Sequence, residues 1–128
     1  MKILITASIL IFSLIVGQCT GSDNESETEV TLEELSQKEK EINDFITASK
    51  CSPDGCGFMA FGSKPCGGPW KYIVFPNSID KDKLTKMVDA YNELQHQYNL
   101  ETNAVSDCMA VMPPTEVVCV NGVCTIVN

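Results

Sequence analysis

Arginine is absent from this 128-residue chain, whose nine basic residues are all lysine. Bidentate clamping of phosphate or carboxylate by a guanidinium is therefore excluded. Histidine occurs once, at His96, in a stretch expected to be helical and far in sequence from any cysteine. Positive charge is scarce against 17 acids, and the net charge is −8. The acids are uneven: Thr20 to Lys50 carries nine acids and three lysines, Cys51 to Asn128 eight and five. With no basic stripe to displace counterions, nucleic acid is excluded as a partner. Anionic lipid headgroups are disfavoured as partners on the same ground. Long apolar runs are missing too. The longest, Ile3 to Val16, covers 14 residues, against the roughly 20 that a bilayer-spanning helix needs. A mature protein without a transmembrane helix is the expectation.

Cysteine, in contrast, is plentiful. There are seven, an odd number, and setting Cys19 apart leaves Cys51, Cys56, Cys66, Cys108, Cys119 and Cys124. An even set in a small exported domain reads as a disulfide framework, with 15 possible pairings. The segment Val117 to Val127 contains Asn121-Gly122 between two β-rich runs, a two-residue hairpin signal that sets Cys119 opposite Cys124. Those two could bond directly or each reach across to the body. Cys66 with Cys108 is the favoured long-range pair. A zinc site is disfavoured, because the Cys-x4-Cys spacings are not two-residue knuckles and export favours oxidation. Cys66-Gly67-Gly68-Pro69 lacks the second cysteine of a redox Cys-x-x-Cys. No pattern calls for a metal or other cofactor.

The N-terminus has the layout of an export signal: Lys2, then the apolar run, then Cys19, then the acidic, polar stretch Thr20 to Glu29. Leu14-Ile15-Val16-Gly17-Gln18-Cys19 resembles the lipobox of bacterial lipoproteins. Gln18 departs from the family's Gly, Ala or Ser, and Val16 from its commonest Leu. The resemblance implies cleavage before Cys19 and acylation of that cysteine. Multiple acyl chains, each contributing about 0.8 kcal/mol per buried methylene, hold a protein stably on a membrane. The acidic run after Cys19 is similar to surface-export signals of some Gram-negative lipoproteins. The implied location is the cell envelope, as an outer-membrane lipoprotein on the periplasmic or surface face. Secretion without lipid is the alternative. The domain plan is a signal peptide over 1–18, an acidic disordered tether over 19–30 and a disulfide-rich domain over 31–128.

Within the domain, Thr31-Leu32-Glu33-Glu34 is a capping box, with Val30 and Leu35 at the staple positions. Leu32, Leu35, Ile42, Phe45 and Ile46 recur at helical spacing through Ser49. Ser52-Pro53-Asp54-Gly55 is a turn. Gly57 to Phe61 and Trp70 to Phe75 read as strands. A second helix runs from Ile79 or Lys81 to about Asn99, with the stripe Leu84, Met87, Val88, Tyr91, Leu94 and Tyr98. Cys108 to Met112 reads as a further strand, broken by Pro113-Pro114, before the terminal hairpin. The order α-β-β-α-β-β-β implies an α+β domain stapled by disulfides, mainly antiparallel sheet with both helices on one face.

No catalytic group stands out. His96 reads as a solvated helix residue, and Ser63 and Ser106 have no evident base partner. Acids lie on helix faces or in the tether, with no pair set into a pocket. The most distinctive stretch is Gly62 to Tyr72, a loop with two prolines, three glycines and a cysteine to pin it. Together with Ser106-Asp107-Cys108 and the Cys-x4-Cys ending, it resembles small exported cysteine-rich bacterial proteins, which implies no particular activity. The expectation is a non-catalytic binding domain for a protein or envelope component, an inhibitor-like module being one sub-case. Lys64, Trp70, Pro113 and Pro114 are its candidate binding-loop residues. The rival is a small enzyme or metal-handling protein built on carboxylates or on Met59, Met109 and Met112, although strand methionines are more often packing residues.

Overall fold

The structure, a computed structural model, describes residues 29–52 and 55–127. Cys19, the leader and nearly all of the tether lie outside that range. Helix α1 spans Leu32–Thr47, strand β1 Cys56–Phe61, strand β2 Lys71–Pro76, helix α2 Lys81–Glu101, strand β3 Glu116–Val120 and strand β4 Val123–Val127. No helix among the described residues is long and apolar enough to cross a membrane. The domain is small, α+β and disulfide-rich. Its antiparallel pairing is divided between two ribbons, β1–β2 and β3–β4.

Local chemistry accounts for the helices. The Thr31 hydroxyl accepts from the Glu34 N–H at 3.1 Å and starts α1. Val30 and Leu35 are both buried, as a staple requires. Asp80 caps α2 by accepting from the Lys83 N–H at 2.9 Å. The Glu101 carboxylate at the far end of α2 accepts the Val30 N–H at 2.9 Å, tying the two helices together. One residue of the expected α1 stripe falls outside it. Leu32 is 65% exposed, whereas Leu35 in the same turn is buried.

Leu35 and Ile42 of α1 meet Leu84, Val88 and Tyr91 of α2 over Phe61 and Phe75 of the β1–β2 ribbon. Phe61 and Tyr91 stack with centroids 4.4 Å apart. Gly57 leaves room for the buried Phe75 ring, since a Cβ there would meet that ring at 2.8 Å. Burial holds the Tyr91 hydroxyl neutral and raises its pKa, with the Glu39 carboxylate adding to the effect.

The β3–β4 hairpin turns through Asn121 and Gly122 at φ 51° and 82°, the positive angles a two-residue turn demands. Cys119 and Cys124 face each other across it. They do not bond to each other. Cys51 pairs with Cys119 and Cys56 with Cys124, clamping the ribbon onto the start of β1. Cys66 pairs with Cys108, as favoured from sequence.

The expected strand over Cys108–Met112 does not form. Pro113 and Pro114 remove two amide donors at its end. Its Met109 carbonyl is taken instead by the Lys64 ammonium at 2.9 Å.

Candidate protein-binding cleft

The loop from Gly62 to Trp70 is fixed by amide side chains on α2. Asn92 Oδ1 accepts the Gly62 N–H at 2.7 Å, and Gln95 Oε1 accepts the Ser63 N–H at 2.6 Å. The Ser63 carbonyl accepts from Asn99 Nδ2 at 2.8 Å and from Trp70 Nε1 at 3.1 Å. Asn92, Gln95 and Asn99 stand three and four residues apart, so one helix face presents all three. Sequence reading missed this set. The signal was an amide stripe beside the apolar one, with Asn99 read only as a helix-exit residue.

Lys64 departs most from expectation. A lysine presented to a partner should be exposed, but this one is 5% exposed. Its ammonium lies 2.7 Å from Asp107 Oδ1 and 2.9 Å from the Met109 carbonyl oxygen. It also stands 5.2 Å from the Trp70 ring centroid, within cation–π range. Lys64 therefore braces the 62–70 loop from beneath. The hydrogen bond from that ammonium, then its charge, holds the Asp107 carboxyl below the usual carboxylate range. With the Cys66–Cys108 bond beside it, this ion pair joins the 62–70 loop to the 106–112 segment.

The joint brings the two loops nominated from sequence to one place. Trp70, Met112, Pro113, Pro114 and Ile126 line a cavity of about 600 Å³, with Tyr72 in its wall. Trp70 is 41% exposed and Met112 77%. The cleft is apolar and open, and among the described residues Lys71 is the one charged side chain lining it. That lysine is engaged by Glu39 at 2.7 Å.

The other singled-out residues lie elsewhere. His96 is exposed on α2 and lines a separate small pocket with Pro65 and Asn99. Ser106 Oγ is buried and has no hydrogen-bond partner among the described residues. Met59 packs against the core, while Met109 is exposed on the 106–112 segment, so the three methionines do not form one site. The sulfurs of Cys51, Cys56 and Cys124 lie within 4.8 Å of one another, yet each is spent in a disulfide, and metal binding needs the thiolate.

No family model, curated protein or solved structure matches this chain.

Proposed function

We propose that this protein is an envelope-anchored, non-catalytic binding domain that seats an apolar segment of a partner protein in the Trp70–Pro114 cleft. The observation that carries the reading is the convergence of two distant loops on one open apolar cavity, with Trp70 and Met112 exposed at its surface. Aromatic anchors over a rigid scaffold suit protein recognition, and a loop already fixed loses little freedom on binding. The lipobox-like stretch ending at Cys19 supports membrane attachment through an N-terminal lipid, with the acidic segment as spacer.

Met112→Asp is the discriminating variant, because Met112 is exposed and its replacement spares the core. Capture of envelope proteins by the folded variant is expected to fall at least about tenfold, a loss typical of truncating a recognition hot spot. Unchanged capture by folded Met112→Asp protein sinks the cleft reading. Intact mass of the membrane-extracted protein tests the anchor: acyl chains on Cys19 support it, and a soluble product lacking Cys19 removes it.

A further inference from the structure

We propose that the outward edge of β2 accepts an extended segment of the partner, apolar at alternate positions and carrying an acidic group, as an added strand. This rests on the cleft reading above and names the kind of segment that enters. The hydrogen-bond phase of the ribbon identifies the edge. Asn77 N–H donates to the Gly55 carbonyl at 2.8 Å, and that pair continues the β1–β2 register. In an antiparallel ladder, bonded and non-bonded pairs alternate. Lys71, Ile73 and Phe75 therefore bond inward to β1, and Tyr72, Val74 and Pro76 turn their backbone groups outward. Pro76, which has no N–H, falls in the outward set, where proline is tolerated. Among the described residues, no backbone hydrogen bond outside the ladder engages Tyr72 or Val74.

The space beside this edge fits a strand. A groove of about 440 Å³ runs along Tyr72, Val74 and Pro76, walled by Ile46 of α1 on one side and Val123 of β4 on the other. Lys71 and Tyr72 line both this groove and the Trp70–Pro114 cleft, so the two meet along β2. Backbone bonds to Tyr72 and Val74 would supply affinity, and alternate side chains would fall toward the helix side or the ribbon side. The outward residues of β1, Phe58 and Ala60, line none of the described cavities.

Charge selects the occupant. Lys50 and Lys71 are the charged residues lining the groove. Lys71 is paired with Glu39, whereas Lys50 has no carboxylate in bridging distance among the described residues. The groove is thus locally positive in a chain of net charge −8, which favours a segment that carries an acidic group beside its apolar residues. A second copy would bring its own −8 to the contact, and like-charge repulsion opposes it.

The probe is a short synthetic peptide of alternating valine and threonine ending in a free aspartate, titrated into the intact oxidised protein. Amide exchange at Tyr72 and Val74 is expected to slow at least about tenfold at saturation. The same peptide N-methylated on alternate residues is expected not to bind. Val74→Pro removes an outward N–H without breaking the ladder to β1, and should weaken binding at least about tenfold. Lys50→Ala should weaken the aspartate peptide and leave its asparagine counterpart unchanged. Four results would each overturn the proposal: equal binding of the N-methylated peptide, no slowing at Tyr72 and Val74, no binding by about 1 mM, or protection of those amides on self-association without peptide. If Met112→Asp abolishes partner capture and folded Val74→Pro does not, the cleft reading stands and strand addition falls.

Discussion

Two regions of this domain are held together by different physics. From Val30 to Tyr91 the chain supplies every member of the buried core. From Asn92 to Val127 none of the described residues falls in the buried class. The second stretch nevertheless contributes one cysteine to each of the three disulfides, Cys108, Cys119 and Cys124. A two-stranded ribbon is marginal on its own in water, and a domain this small has little apolar surface to spare. Covalent ties to the body therefore do for the C-terminal region what burial does for the helices. The proposed binding cleft falls at the seam, with Trp70 and Tyr72 from the first region and Met112 to Pro114 from the second.

The comparison breaks most sharply if the disulfides are removed. Cys51–Cys119 and Cys56–Cys124 each span 68 residues. In the chain-entropy model one such bond contributes about 4 kcal/mol, and the second, closing a short loop beside the first, adds much less. Replacing all four cysteines with serine should cost roughly that amount. The ribbon amides should lose exchange protection while α1 and α2 keep their circular dichroism. Helices that melt together with the ribbon would show that the two regions are one cooperative unit.

Leu84→Ala probes the other side. Leu84 is fully buried between the helices, and its truncation should cost about 3 kcal/mol. Helix and ribbon signals should then be lost together in denaturant, because the staples have no body left to hold.

A smaller effect is expected at the seam. The depressed Asp107 pKa means that its contribution is present above the unfolded-state value of 3.8 and is lost as pH falls through the lower folded-state value. Relative to the intrinsic rate at each pH, exchange at Met109 and Ala110 should accelerate on acidification below pH 3.8. Lys64→Met, which keeps the buried stem but removes the ammonium, should raise that exchange at neutral pH and erase its acid dependence. An unaltered acid response in the variant would remove Lys64 as the cause.

The smallest effect is expected on the exposed face of α1. Lys40 and Asp44 form an i,i+4 pair at 2.6 Å with both side chains about two-thirds exposed. Hydrogen bonding to Asp44, then its charge, raises the Lys40 pKa. Solvent screening nonetheless leaves such pairs little net worth. Lys40→Ala should leave the melting temperature unchanged within error.

How much of this was readable in advance follows from the range of each interaction. The α1 cap at Thr31, the staple of Val30 and Leu35, and the α2 stripe of Leu84, Val88 and Tyr91 were readable because each joins residues within one or two helical turns. The Asn121-Gly122 turn was readable for the same reason. The burial of Lys64 was not, since it depends on Asp107 and Met109, more than 40 residues away. Cys108 to Met112 misled because a run rich in β-formers becomes a strand only where another strand is free to pair, and here Lys64 took the Met109 carbonyl. The cleft itself was only half visible: its two loops were named, but not their meeting.

The sequence by itself determined the two helices, the terminal hairpin and the pool of six cysteines, because caps, apolar periodicity and turn angles act over a few residues. Tertiary structure alone decided how Cys51, Cys56, Cys119 and Cys124 paired, that Lys64 would face inward, and that Trp70 and Pro114 would share a wall. Those outcomes depend on which distant surfaces come within a few ångströms, and no local rule encodes that distance.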